Sequence, residues 1–188
     1  MEDAALIASA REGDLDAFAE LVRRYEHRVR AVLFRLLDDD RDVEEATQDA
    51  FVQAWRNLDR FRGDAAVFTW LYRIAVNEGL ARLRRKRVTT TDLDELAETA
   101  HAAADPAGGP EQSAEAHELH EFLASRIRAL TPEYRAPLVL RDVVGLSNQE
   151  VADVLELSLA AAKSRVHRAR MQIRAELERW EEQGGALS

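Results

Sequence analysis

The sequence predicts an all-α chain made of two small helical domains joined by a flexible acidic linker. Three observations carry that prediction. Apolar residues recur at helical spacing on both sides of the chain's middle, with no period-two alternation bounded by turn pairs and no internal repeat. Asp105-Pro106-Ala107-Gly108-Gly109-Pro110 is a run that continues neither helix nor strand. Finally, the stretch between Val88 and Ser125 holds no Lys or Arg but nine acids: Asp92, Asp94, Glu95, Glu98, Asp105, Glu111, Glu115, Glu118 and Glu121. These define four regions: a first domain over 1–88, a linker over 89–120, a second domain over 121–183 and a short tail over 184–188.

The first helix is expected to begin at Gly13-Asp14, where Phe18, Leu21, Val22, Tyr25, Val29, Val32, Leu33 and Leu36 recur at i, i+3, i+4 and i+7. It ends at the cluster Asp38-Asp39-Asp40. A second helix, capped by Asp42, buries Val43, Ala46, Ala50, Ala54 and Leu58 and turns Glu44, Glu45, Gln48, Asp49 and Gln53 outward. After the turn at Arg62-Gly63-Asp64, a third helix runs from about Ala66, with Trp70, Leu71, Ile74 and Ala75 inward, into Arg82, Arg84, Arg85, Lys86 and Arg87.

Five bases in six residues exceed what complementing a helix dipole requires, and clustered bases form the counterion-releasing footprint of phosphate contact. The aromatic residues upstream, Phe61, Phe68, Trp70 and Tyr72, offer flat surfaces on which unpaired bases can stack, with Trp70 assigned to the core.

In the second domain, Thr131-Pro132-Glu133 reads as an N-cap with proline in the first turn, opening a helix that carries Leu138, Val139 and Leu140. Gly145 ends it. Ser147-Asn148-Gln149-Glu150 matches a capping box and starts a helix with Val151, Ala152 and Leu155 inward. The turn Glu156-Leu157-Ser158 leads to a last helix from Leu159, burying Ala162, Val166, Ala169, Ile173 and Leu177 along one stripe. At 100° per residue, Lys163, His167, Arg170 and Arg174 fall on one flank, with Ser164, Arg168 and Met171 opposite the stripe. Two helices joined by a three-residue turn, the second presenting bases from its N-terminal half, form the geometry that enters a DNA major groove.

Composition narrows the function. The absence of Cys removes disulfides, thiolate metal sites and Cys nucleophiles, and fits a reducing compartment. No apolar run approaches the roughly 18 residues of a membrane span, and Met1-Glu2-Asp3 lacks the basic start of a signal peptide. The expectation is a soluble, cytoplasmic protein. The net charge of −9 looks adverse to nucleic acid until its placement is considered. Setting the nine central acids aside from the total of 35 leaves 26, matching the 26 bases, so the domains can carry basic patches. His117 and His120, at i, i+3 beside Glu118 and Glu121, could hold zinc in some helices, but no third ligand is identifiable and neither metal nor cofactor is expected. With no Gly-rich phosphate loop and no nucleophile elbow, the chain is not expected to be an enzyme or to take a small-molecule substrate.

Several stretches resemble the extracytoplasmic-function (ECF) sigma factors. They are Gly13-Asp14 through Phe18, Asp49-Ala50-Phe51 with Trp55, and Phe61-Arg62-Gly63-Asp64 leading into Thr69 to Asn77; then Leu130-Thr131-Pro132, Asp142 with Gly145-Leu146-Ser147, Glu150-Val151-Ala152, and Lys163 to Arg170. The resemblance spans both domains in order. It implies a sigma region 2 domain over 1–88 and a sigma region 4 domain over 121–183, bound to core RNA polymerase and reading the −10 and −35 promoter elements.

By resemblance, Gln48, Asp49, Phe51, Gln53, Trp55 and Arg56 would grip the clamp helices of the polymerase. Phe61, Arg62, Gly63, Asp64, Phe68, Arg73, Asn77, Arg84 and Arg85 would serve −10 reading and melting, and Lys163, Ser164, Arg165, His167 and Arg168 would lie at the −35 groove. The linker would thread toward the RNA exit path. An anti-sigma factor, usually membrane-associated, would cover the polymerase-binding surfaces and hold the protein at the inner face of the membrane. Where the family often starts its recognition helix with Pro-x-Gly-Thr, this chain has Ser158-Leu159-Ala160-Ala161-Ala162. After Gly184-Gly185 no appended sensory domain is expected. The competing reading is a stand-alone helix-turn-helix regulator whose first domain dimerises or captures a ligand, independently of polymerase.

Overall fold

Of the 188 residues, the computed structural model describes 2–61, 63, 66–91 and 114–184, and the side chains within them except at 87–91 and 114–115. The tail beyond Gly184 and most of the expected linker therefore lie outside the described residues, as do Arg62 and Asp64. Every regular element among the described residues is helical.

The first block holds α1 (Asp3–Arg11), α2 (Leu15–Leu36), α3 (Asp40–Arg56), a 3-10 turn (Leu58–Arg60) and α4 (Val67–Thr91). Helix α1 was not anticipated, because its buried set of Leu6, Ile7 and Ala10 covers barely a turn of periodicity. Asp14 caps α2 as expected, accepting from the amides of Asp16 and Ala17 at 2.9 and 3.1 Å. The cap of α3 is Asp39 rather than Asp42. Asp39 is extended and its carboxylate accepts from the amide of Arg41 at 2.8 Å, whereas Asp42 lies inside the first turn. The buried faces of α2, α3 and α4 meet through Tyr25, Val29, Leu33 and Leu36, through Val43, Ala46, Ala50 and Ala54, and through Leu71, Ala75 and Val76. Helix α4 approaches α2 closely at Gly79, where a Cβ would stand 3.0 Å from Leu33 Cδ2.

The second block holds α5 (Ala114–Ala129), α6 (Pro132–Leu138), a π-helical stretch (Val139–Val143), α7 (Asn148–Leu155) and α8 (Leu159–Glu182). Residues 114–120, assigned to the linker from their acidity, form the first turns of α5. That helix is anchored at Phe122, which stacks on Trp180 of α8 at 5.0 Å, and at Arg126, which pairs with Glu176 at 3.6 Å. Thr131 takes the N-cap position of α6 by its backbone alone, with no side-chain bond. Pro137 removes an amide donor, and the ladder beyond it runs with π-type bonds such as the Val144 amide to the Val139 carbonyl at 3.0 Å. Gly145 turns the chain at φ +85°.

The two blocks share one core. A continuous cluster runs from Leu6 and Leu36 in the first through Ala136, Val139 and Leu140 to Ala162 in the second. At the junction Arg135, only 5% exposed, sends its guanidinium across to the first block. It donates to the Leu36 carbonyl at 2.6 Å and the Asp38 carboxylate at 3.0 Å, and within its own block to the carbonyls of Leu130 at 3.3 Å and of Arg128. Burial pulls its proton affinity down, and Asp38 partly restores it. Leu36 ends α2 and Arg128 lies in the last turn of α5, so one cation satisfies carbonyls at two helix C-termini.

Candidate nucleic-acid interface

The helix-turn-helix is built by local bonds that the sequence announced. Ser147 accepts from the Glu150 amide at 3.2 Å while Glu150 accepts from the Ser147 amide at 2.8 Å, completing the capping box of α7. Glu156 closes α7 in the left-handed region at φ +54°, and Ser158 caps α8 by accepting from the Ala161 amide at 3.2 Å. Helix α8 buries Ala162, Val166 and Ala169 and half-buries Ile173 and Leu177, so Lys163, Ser164, His167 and Arg168 stand exposed on its other side. Arg165 is half-buried.

The cations of α8 divide along its length. Lys163, Arg165 and Arg168 make no hydrogen bond or ion pair with any described residue, whereas Arg174 pairs with Glu178 at 2.9 Å and Arg179 with Glu176 at 2.6 Å. Arg170, read from the sequence as part of the basic flank, is held by both oxygens of Asp142, at 2.8 and 2.5 Å, and that carboxylate raises its proton affinity. The bases left free are those of the first three turns.

In the first block, Gln48, Asp49 and Arg56 are exposed on α3, joined by Val52 at 46% exposure. Gln53 is half-buried. Phe51 is buried at 8%, and Trp55 is half-buried with its ring 5.0 Å from Phe18 in an edge-on contact. Those two therefore support the outward face from beneath. Asp49 faces two ways, because Arg82 of α4 reaches it and also donates to Glu45 at 3.0 Å. Hydrogen bonds from Arg41 and then Arg82 hold the Glu45 carboxyl below the ordinary value of 4.5. The Arg82 side chain is 14% exposed, so it belongs to the α3–α4 contact rather than to the basic end of α4, where Arg84 and Arg85 remain exposed.

The segment between α3 and α4 presents the aromatic residues. Phe61 packs on Trp70 with centroids 5.3 Å apart, and Phe68 on Tyr72 at 6.0 Å. Phe61, Phe68 and Trp70 are half-buried, and Gly63 is exposed at φ +78°. Asn77 is exposed along α4, while Arg73 is half-buried, its Nε without a hydrogen-bond partner among the described residues. Arg84 and Arg165 line the same cavity of about 570 Å³ between the blocks, together with Leu80, Leu83, Pro137 and Leu155.

Three organising residues escaped the sequence reading. In the sequence Arg135 has the pattern of a surface cation, Asp142 stands out only within its motif, and Arg11 carries no signal. Arg11 donates from Nε to the Leu58 carbonyl at 2.9 Å and from a terminal nitrogen to the Phe61 carbonyl. Among the described residues, no three His, Asp or Glu side chains converge as metal ligands; His117 faces only Glu121, at 3.5 Å. No described helix is long and apolar enough to cross a membrane.

Comparison with known proteins gives this geometry a family. Residues 21–89 match Sigma-70 region 2 and residues 123–173 match Sigma-70, region 4. The chain is 35% identical over 178 residues to the ECF RNA polymerase sigma-E factor of Escherichia coli K12, covering 92% of this chain and 93% of that protein. It is 34% identical, over 92% of each chain, to the RNA polymerase sigma-H factor of Pseudomonas aeruginosa. In structure it resembles CnrH, solved in complex with the cytosolic domain of CnrY, with a TM-score of 0.64, 29% identity, and coverage of 94% of this chain and 97% of that one. It shares its fold with the sigma factor RpoE of Bartonella quintana, solved with the anti-sigma factor NepR: TM-score 0.71, 21% identity, and coverage of 87% and 98%. A stand-alone regulator would not be expected to pair regions 2 and 4 in this order. The chain belongs to the ECF family of RNA polymerase sigma factors, transcription initiation factors that bind core polymerase and promoter DNA.

Proposed function

We propose a division of this initiation role among named surfaces. The exposed face of α3, with Gln48, Asp49, Gln53 and Arg56 around Val52 and with Phe51 and Trp55 as its support, docks on the polymerase clamp. Phe61, Gly63 and Phe68 receive an unstacked base of the −10 non-template strand, and Arg73, Asn77, Arg84 and Arg85 lie beside the melting junction. Exposing such a base costs a few kcal/mol, which aromatic stacking offsets at about 1–3 kcal/mol per base. Lys163, Ser164, Arg165, His167 and Arg168 meet the −35 major groove and its flanking phosphates. Arg62 and Asp64, outside the described residues, belong to the same −10 reading by family resemblance.

The observation that carries this reading is the partition of cations on α8. Its N-terminal ten residues leave bases free for an external anion, while Arg170, Arg174 and Arg179 further along are paired internally. The test is Lys163→Ala with Arg168→Ala in run-off transcription, beside a core-binding assay. The pair should abolish dependence on the −35 element and leave core affinity intact. It should also shallow the logarithmic salt dependence of promoter binding by about 0.9 for each phosphate that is no longer neutralised. Unchanged promoter use would refute the placement of α8. We further infer a cytoplasmic protein restrained by an anti-sigma factor that covers its polymerase-binding faces, in keeping with the complexes in which its structural relatives were solved. We propose that the acidic residues between α4 and α5, the part of the expected linker over 89–120 that neither helix takes up, pass toward the RNA exit path.

A further inference from the structure

We propose that Arg11 is a positioning residue for base selection at the −10 element, acting through the main chain that presents Phe61; the inference rests on the reading of Phe61 given above. Arg11 is the last residue of α1, a helix that lies outside residues 21–89 matched to Sigma-70 region 2. Its guanidinium spans the short 3-10 turn that joins α3 to the −10 segment. Nε takes the Leu58 carbonyl at one end of the turn, and the terminal nitrogen takes the Phe61 carbonyl just beyond the other. Leu58 is 4% exposed and anchored in the core, and its carbonyl also accepts from the Phe61 amide at 3.1 Å. Phe61 is therefore tied to a fixed point by its own amide and, through Arg11, by its carbonyl.

This bracing matters because the position that follows soon after is permissive. Gly63 stands at φ +78°, a backbone conformation that glycine adopts freely, and no packed neighbour lies within 4 Å of where a Cβ would be. On the other side, the Phe61 ring rests against Trp70 at 5.3 Å. A planar fork with several donors can bridge two carbonyls at once, which an ammonium point charge does less well. A base seated against Phe61 is discriminated only as sharply as Phe61 is held. Helix α1 is itself fixed by buried Leu6, Ile7 and Ala10, so Arg11 transmits the rigidity of the core to the reading segment.

The test uses holoenzyme assembled from core RNA polymerase and the full chain, presented with a fork-junction DNA whose single-stranded non-template segment is randomised over the −10 positions. Bound molecules are sequenced, and core affinity and thermal stability are measured in parallel. Arg11→Ala should flatten the strongest base preference by about tenfold, the change that corresponds to losing one bond from a charged donor. Core affinity should stay within about twofold, since Arg11 bonds only the Leu58 and Phe61 carbonyls and none of the side chains proposed to dock on the clamp. Arg11→Lys should recover part of the preference. The Arg11 side chain is exposed, so the variants retain the packing of α1. If Arg11→Ala keeps the full preference while Phe61→Ala flattens it, the positioning role is overturned and the Phe61 reading stands. If Phe61→Ala also keeps the preference, the Phe61 reading falls and takes this proposal with it. Loss of thermal stability and core affinity with preference unchanged would assign Arg11 a purely structural part.

Discussion

Replacing Arg135 by alanine tests the junction between the two blocks most directly. The guanidinium is buried and donates to the Leu36, Leu130 and Arg128 carbonyls and to Asp38. Truncation leaves three carbonyls without this donor, two of them at helix C-termini where no intrahelical partner exists. Asp38, with a side chain 50% exposed, rehydrates and adds little. Bonds from charged donors contribute roughly 1.5–3 kcal/mol each, and removal of the buried cation also relieves its own desolvation, so the net loss should be about 3–5 kcal/mol. For a chain of this size that corresponds to a fall in Tm of roughly 6–20 °C. Asp38→Asn keeps an acceptor and should cost under about 1 kcal/mol. Urea denaturation followed by circular dichroism reads both. If Arg135→Ala costs no more than Asp38→Asn, the guanidinium does not bridge the blocks in solution and the junction described above is wrong.

Two further outcomes follow from local chemistry. Ser147→Ala removes the side-chain half of the capping box of α7 and should destabilise the chain by about 1 kcal/mol, measured by the same denaturation; a change below about 0.3 kcal/mol would contradict the cap geometry. The Tyr25 phenol, buried and hydrogen-bonded to Asp3, is pushed up from 10.0 to about 12, with burial the larger cause. Its neutral form is thus favoured by folding. That stabilisation is complete below pH 10 and is lost as the pH rises through about 12, so an ultraviolet difference titration against Tyr25→Phe should show a late-ionising phenol. Ionisation at the unperturbed value would refute the Asp3 contact.

Periodicity made the long helices legible. The buried positions of α2 and the stripe of α8 match the expected ones closely, and Gly145, Ser147 and Glu150 fix the helix-turn-helix by short-range bonds that any sequence reading can see. What escaped was non-local. Helix α1 buries three residues, too few to show a period. The start of α5 was hidden because acidity was read as solvation, while its stabilising partner, Trp180, lies far along the chain. Arg82, Arg135 and Arg170 were indistinguishable from surface cations, because a base reveals its carboxylate only after folding brings the two together. The resemblance implies that Phe51 and Trp55 grip the polymerase, whereas in the structure Phe51 is buried and Trp55 half-buried beneath the exposed face of α3.

The unbroken apolar interior shared by both blocks sets an energetic condition on promoter engagement. Elements named for positions −10 and −35 lie about 25 base pairs apart, roughly 85 Å of duplex at about 3.4 Å per pair. A compact chain of 188 residues has a radius of gyration of only about 16 Å. In the docked arrangement Arg84 and Arg165, proposed above for the −10 and −35 elements, border one shared cavity and cannot reach stretches of DNA so far apart. For both proposed contacts to form at once the halves would separate, wetting the surfaces around Ala136, Val139 and Leu140, at a cost of about 2.5 kcal/mol for every 100 Å² of apolar area exposed. On the proposed division of surfaces polymerase would hold the parted form and work against closure, so a substitution that tightens the seam would weaken assembly with polymerase by the same free energy.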